Sequence, residues 1–488
     1  MQQLSAIDAQ FLGVESTRTF SHVGVLAVYD PSTAPGGNVT RADMCRLIGE
    51  RLHLLPPFRW RLVTVPMSLD LPYWIEDPDF DLDYHVRETA VPPPGDERTV
   101  AETLSRIHSR PLDRNHPLWE LYVIHGLRDG RVGMYTKVHH AAADGVSGNE
   151  ILTILLDHEP DPPPVEPGPG TRRPAGEEAP GALRMFAKGM AGMARHPVRV
   201  TRVLPRASTL TAVPGANAFP GVPQLARALA RVESLGSDGA DHDVLEASTA
   251  RAPRTSFNGP LSPHRRIAIG TISLDRVKAV KSAAGTTVND VLVALCAGAL
   301  RSWLAERNDL PTDPLTAMIP VSVRTAQESG AFGNRISSMV VPIPTDEPDP
   351  VNRLRRAHEV LRGAKERHKA LPATLLTDAG TFVPPAVLSL AARATVDVLS
   401  RTRPPVNLVI SNVPGPREPL YCAGARLEHS YPISVVLDGV GMNITVMSYR
   451  DGIDIGVVAD REQVDECDSV VAGIAAGLDQ LETAVDPR

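Results

Sequence analysis

Eight prolines fall between residues 160 and 180, and this break constrains the fold more than any other feature of the chain. Proline fixes φ and donates no backbone hydrogen bond, so the segment cannot continue a helix or sit inside a sheet. It reads as an extended linker with independently structured parts on either side. Charge marks the same region. From residue 179 to 232 there is no acidic side chain, while Arg184, Lys188, Arg195, Arg199, Arg202, Arg206, Arg227 and Arg231 all occur. A chain of 488 residues is also too long for one compact core. The expected organisation is a first domain over 1–157, a Pro-rich then basic crossover over 158–252, and a second domain over 253–488.

Each half mixes the two periodicities. Residues 21–29 and 133–138 alternate as strands do, whereas 100–108 and 147–156 carry helical apolar spacing, the latter with Ser147 as N-cap. In the second half, 288–306 reads as a helix and 337–343 as a strand. Residues 443–448 and 453–458 flank Asp451-Gly452 as a hairpin. The fold class is therefore α/β (α+β), with two similar strand-rich domains and a cleft between them.

Composition removes several functions. The net charge of −7 argues against nucleic acid as a partner. No uninterrupted apolar run reaches 18 residues, and the N-terminus lacks the basic start and apolar core of a signal peptide, so a cytoplasmic protein is expected. Cys45, Cys296, Cys422 and Cys467 are scattered and form no CxxC pair, as free thiols in a reducing compartment would. Within the basic crossover, Met185, Phe186, Met190 and Met193 accompany the cations. A helix of that kind would lie on an anionic membrane or lipid-droplet surface; the alternative is a solvated crossover packed on the domains.

The chemistry concentrates in one heptapeptide. His139-His140-Ala141-Ala142-Ala143-Asp144-Gly145 follows the strand-like 133–138 directly. Side chains alternate along a strand, so one histidine faces a given cavity and the other is its structural neighbour. Histidine titrates near neutral pH and suits proton transfer. Asp144 is placed to orient it, and Gly145 allows a sharp turn. A metal site built on His139, His140 and Asp144 is disfavoured, because adjacent strand histidines diverge and neither HExxH nor a Cys cluster accompanies them. A purely structural pair is the other rival reading. The chain has no GxSxG, and no catalytic-looking cysteine near a turn. A base without an adjacent nucleophile points to a substrate that brings its own hydroxyl or amine, and so to direct transfer.

HHxxxDG is the signature of the CoA-dependent acyltransferase superfamily, and further motifs narrow the resemblance. Leu4, Ser5, Ala6, Ile7 and Asp8 with Phe11 and Leu12 come first, followed by PLDRNHPLWE over 111–120. Asn289-Asp290, IPVSVR over 319–324, Gly333-Asn334 and SNVPGP over 411–416 then occur in that order. Together they resemble the bacterial wax ester synthase/acyl-CoA:diacylglycerol acyltransferase family across nearly the whole chain. The resemblance implies a pseudo-dimer of two chloramphenicol-acetyltransferase-like domains around a tunnel. It implies that His140 takes the proton of an alcohol attacking an acyl-CoA thioester, that His139 and Asp144 hold the geometry, and that no acyl-enzyme forms. Acyl-CoA would be a substrate, no cofactor would be needed, and the acceptor would be diacylglycerol or a long-chain alcohol. A related acyltransferase with another hydroxyl acceptor is a second reading, and a lipid-droplet-binding protein with a vestigial site is the non-enzymatic one.

Other matched residues have structural explanations to weigh. Thr287 and Asp290 have the spacing of a capping box, leaving Asn289 as the candidate to line the site. Trp119 reads as packing. Arg324 needs a partner if buried, and Asp144 is the expected one. Ser411 and Asn412 open a turn after the strand-like 407–410 and would also reach the site.

Overall fold

The computed structural model describes residues 1–66, 69–143, 154–163, 180–181, 183–188, 252–322, 336–369, 404 and 406–485. In the first half the strands are β1 (Gln2–Gln3), β2 (His22–Asp30), β3 (Trp60–Val63), β4 (Tyr73–Glu76), β5 (Val86–Ala90), β6 (Trp119–His125) and β7 (Val132–His139). The second half carries β8 (Arg265–Ser273), β9 (Leu315–Ser322), β10 (Ile336–Ile343), β11 (Leu408–Val413), β12 (Tyr421–Cys422), β13 (Ala425–Ile433), β14 (Met442–Tyr449) and β15 (Gly452–Asp460). The helices used below are α1 (Ala6–Val14), α2 (Arg41–Arg51), α3 (Leu82–His85), α4 (Glu97–His108) and α5 (His140–Ala143), then α6 (Leu274–Ala284), α7 (Val288–Glu306), α8 (Pro350–Lys369) and α9 (Asp468–Val485).

Two six-stranded sheets form the frame, ordered β12-β13-β2-β7-β6-β5 and β10-β9-β11-β14-β15-β8. The α/β class matches the sequence expectation. The halves, however, are not separate. β12 and β13 come from the second half yet complete the first sheet, β13 running antiparallel to β2 from Arg426 opposite Asp30 to Ile433 opposite Gly24. Gly456 shows how closely this strand crosses the second sheet. A Cβ there would lie 1.7 Å from the Pro432 carbonyl oxygen, so only glycine fits.

The other seam closes an exposed strand edge. β8 is an edge strand, and its free N–H groups point at α4 of the first half. Arg265 N–H donates to Ser109 Oγ at 2.8 Å and Ile267 N–H to Ser105 Oγ at 3.0 Å. Two serines one helical turn apart thus satisfy donors that would otherwise template foreign pairing.

The second core is built on α7. Thr287 caps it: the Thr287 side chain accepts from Asp290 N–H, and the Asp290 carboxylate accepts from Thr287 N–H. The helix is long and apolar enough to cross a membrane, but it lies in the core against α6, α8 and α9, with Val291, Leu295, Leu300 and Trp303 buried. Apolar residues all round are what a helix packed on several sides requires. The hairpin expected around Asp451-Gly452 is present as β14 and β15. One expectation is corrected. Ser411, Asn412 and Val413 do not form a turn but continue β11, because they pair in parallel with Thr445, Val446 and Met447 of β14.

Candidate active site

β7 is a central strand between β2 and β6, and its last pair in the ladder sets His139 opposite His22. The ladder runs one step further, since His140 N–H donates to the Ser21 carbonyl at 2.8 Å. Strand alternation therefore holds through both histidines. His139 falls on the face of Tyr135 and Lys137, and His140 on the face of Thr136 and Val138.

The His139 face is polar and buried. His22 Nε2 lies 2.7 Å from the His108 carbonyl, and His108 Nδ1 lies 2.7 Å from Tyr135 Oη. Lys137, with no exposed side-chain surface, sits 3.0 Å from Glu120 Oε2. It also donates to the carbonyls of Arg110 and Ile107 at 3.0 and 3.4 Å. Burial pushes the His22 imidazole well below its usual range and that of His108 down to about 3. It pushes the Lys137 ammonium down as well, against the opposing pull of Glu120.

His139 itself bridges two elements. Its Nδ1 accepts the Ala141 N–H at 3.1 Å, and its Nε2 lies 3.1 Å from Glu15 Oε1. Glu15 closes α1, accepting Ser21 N–H at 2.8 Å on one oxygen and Arg114 Nη2 at 2.5 Å on the other. Burial alone would raise the Glu15 carboxyl, but His139, Arg114 and Ser21 together bring it down to about 2. Arg114 also donates to the Leu12 carbonyl at 3.0 Å, and Ser21 Oγ to the Phe11 carbonyl at 2.8 Å. The motif at 4–12 is thus the helix that walls the site, and the motif at 111–120 is what clamps it. Trp119 of that motif is packing, stacked on Phe58 with its indole N–H donating to the Phe58 carbonyl at 2.8 Å.

His140 opens α5 and is half-buried. Its ring stacks on Phe11, with centroids 3.8 Å apart and planes 13° from parallel. Nδ1 is buried without a hydrogen-bond partner among the described residues. Burial, helped by His139, pushes the imidazole down to about 4. The resting ring is therefore unprotonated at neutral pH, as a proton acceptor must be.

The face that His140 shares is apolar and hollow. Val23, Val25 and Ala27 of β2 and Met134, Thr136 and Val138 of β7 line a cavity of about 80 Å³, closed by Met44, Leu155, Leu156 and Cys422. Val23 and Val25 are only half-buried although β2 is an interior strand.

Other expected residues fall in a second group. Asn412 Nδ2 donates to Asn289 Oδ1 at 3.5 Å, so β11 and the start of α7 bring these two together, with Ser411 one residue before. Asp290 is buried, and besides its cap its Oδ2 lies 2.7 Å from His358 Nδ1 of α8, which ties two core helices. No hydrogen bond joins this group to His140 among the described residues. Asp144, Gly145 and Arg324 lie outside the described residues, as does the expected Arg324–Asp144 pair. Glu15, Arg114 and Ser21 were not singled out from sequence. The available signal was spacing: Glu15 follows Phe11 by four residues and so shares its helix face.

All four cysteines are free thiols, and burial pushes up that of half-buried Cys45 on α2. Cys296, Cys422 and Cys467 are buried and free, and burial pushes the first two up to about 12 and the third higher still.

The wax ester synthase/diacylglycerol acyltransferase catalytic domain matches residues 4–292, and the C-terminal domain of the same family matches 332–482. The chain belongs to this acyltransferase family. A Mycobacterium tuberculosis protein named "Probable diacyglycerol O-acyltransferase tgs2" is 38% identical over 485 residues, 98% of each chain. The wax ester synthase/diacylglycerol acyltransferase from Marinobacter aquaeolei VT8 superposes with a TM-score of 0.68 at 29% identity, covering 99% of this chain and all of that one. A starter condensation domain of rhizomide synthetase shares the fold, with a TM-score of 0.53 at 11% identity. Membership confirms the family resemblance read from the motifs and the acyltransferase class.

Proposed function

We propose that this family member transfers a long acyl chain from acyl-CoA to the free hydroxyl of a diacylglycerol, with His140 as general base. His140 Nε2 takes the hydroxyl proton as the oxygen attacks the thioester carbonyl. The C–S bond then breaks and the proton passes to the departing CoA sulfur, so the ester and the free thiol leave together. No bond to the protein forms at any stage.

The observation that carries this reading is the pairing of a neutral, ring-stacked His140 with an apolar cavity on its own face of the sheet. An alcohol nucleophile needs the first and an acyl chain the second. Buried thiols far above neutral pH support direct transfer over a covalent cysteine intermediate. Fatty alcohols, as acceptors in a wax ester synthase reaction, offer the same reacting group. We also propose that the basic 179–232 segment brings the enzyme to an anionic lipid surface where the acceptor resides. Its described part has Met185 buried beside Val65 and Tyr73 while Leu183 and Phe186 are exposed.

The test holds palmitoyl-CoA fixed and varies the acceptor, following CoA release and the lipid product. Triacylglycerol formed from diacylglycerol at a higher kcat/KM than any wax ester from hexadecanol supports the assignment. A preference for the alcohol overturns the acceptor, and no release with any acceptor overturns the reaction.

A further inference from the structure

The geometry around His139 assigns a role to Glu15 that neither the motifs nor the family reading supplies. Ala141 N–H is a donor, so the Nδ1 it meets at 3.1 Å carries no hydrogen. A ring whose Nδ1 is bare carries its proton on Nε2, and that nitrogen lies 3.1 Å from Glu15 Oε1. One end of the ring is hydrogen-bonded, and the other meets a carboxylate at ion-pair distance without hydrogen-bond angles. At one end is the first turn of α5, whose N–H groups have no partner within the helix. At the other is a carboxylate that is itself fixed. Ser21 N–H shares the oxygen facing His139, and Arg114 holds the other oxygen.

We propose that Glu15 is a positioning residue that locks His139 in its Nε2–H tautomer, and through the His139–Ala141 bond fixes the backbone on which His140 stands. The opposite tautomer would set an Nδ1–H against the Ala141 N–H and leave a bare Nε2 facing the carboxylate. Both contacts would be repulsive. The ring would turn, the start of α5 would shift, and His140 would leave its stack on Phe11. Arg114 serves the same end at one remove, because without it the carboxylate would be free to rotate away from His139.

This inference rests on His140 being the base, and its test separates the two. Histidine labelled with nitrogen-15 in the full chain reports tautomers directly, and His139→Asn identifies the His139 signals. In the wild type the proton is expected on Nε2. In Glu15→Ala, with the melting temperature checked, the expected result is mixed tautomers. kcat should fall about 10–100-fold, with KM for the acyl donor within about twofold. That is less than the roughly 10⁴-fold loss when a general base itself holds the wrong tautomer, because Glu15 acts through a neighbour. Glu15→Gln offers a carbonyl oxygen at the same place, so it should keep the Nε2–H form and more of the rate than Glu15→Ala.

A folded Glu15→Ala that keeps the wild-type tautomer overturns the proposal whatever its rate, and so does a changed tautomer with unchanged kcat. Where Glu15→Ala does not fold, a wild-type proton on Nδ1, or a Glu15→Gln that keeps the tautomer yet loses 100-fold in kcat, overturns it instead. An inactive wild type counts against the reading of His140 and leaves the tautomer result intact.

Discussion

With His140 as the proposed base, its burial should set the pH dependence of the reaction, and Phe11 is the place to perturb it. The His140 imidazole is pushed from 6.5 down to about 4, chiefly because its charged form is poorly solvated. That difference corresponds to about 3 kcal/mol against protonation. The wild-type kcat/KM for acyl donor should therefore stay flat from pH 8 to below 6, where an ordinary histidine base would already be losing activity. Phe11 covers one ring face at 3.8 Å. Phe11→Ala admits water to that face and should raise the imidazole by roughly one pH unit, a partial return toward its solvated value. The acid limb of the profile should move up by the same amount. The rate on the plateau should also fall by up to about tenfold, since aromatic stacking is worth about 0.5–1.5 kcal/mol in holding the ring. A dithiopyridine assay of released CoA follows both enzymes across the acid range. A wild-type limb centred near 6.5, or a limb that does not move in Phe11→Ala, would refute the burial argument.

The same sign applies to stability. His85 and His140 at about 4 and His108 at about 3 refuse protons that the unfolded chain accepts below 6.5. Stability should therefore fall as pH drops from about 6.5 toward 4, with proton uptake on unfolding, and chemical denaturation at pH 7 and pH 5 checks this. Equal stability at the two pH values would contradict it. Val25→Trp fills the cavity on the sheet face that His140 shares and should shift the acyl-donor preference from palmitoyl- toward octanoyl-CoA by about tenfold or more, as steric exclusion of a few methylenes predicts. An unchanged chain-length profile would place the acyl chain elsewhere. Deleting 179–232 should abolish salt-sensitive sedimentation with phosphatidylglycerol vesicles while zwitterionic vesicles bind neither form. Undiminished sedimentation of the deletion would remove that segment's role.

Much of the site was legible because strand alternation and helix capping are local rules. The unequal placement of His139 and His140 followed from period two, and the ladder bond from His140 to Ser21 shows why the rule still applied at the strand's end. Thr287 and Asp290 formed the capping box their spacing predicts. What escaped was non-local. Glu15 and Arg114 meet across 99 positions, and nothing within either motif announces the other. β13 lies in the second half, yet its partner β2 lies some 400 residues earlier, so composition could not reveal which sheet it joins. Ser411 and Asn412 carry turn chemistry, but parallel pairing with β14 overrode it.

The central claim is that His140 abstracts the acceptor proton. The most direct measurement is the single-turnover rate of CoA release by His140→Ala and wild type with palmitoyl-CoA and diacylglycerol. Loss of a positioned general base predicts a fall of about 10²–10⁴-fold, with donor binding preserved. A His140→Ala enzyme within a few-fold of wild type would contradict the account.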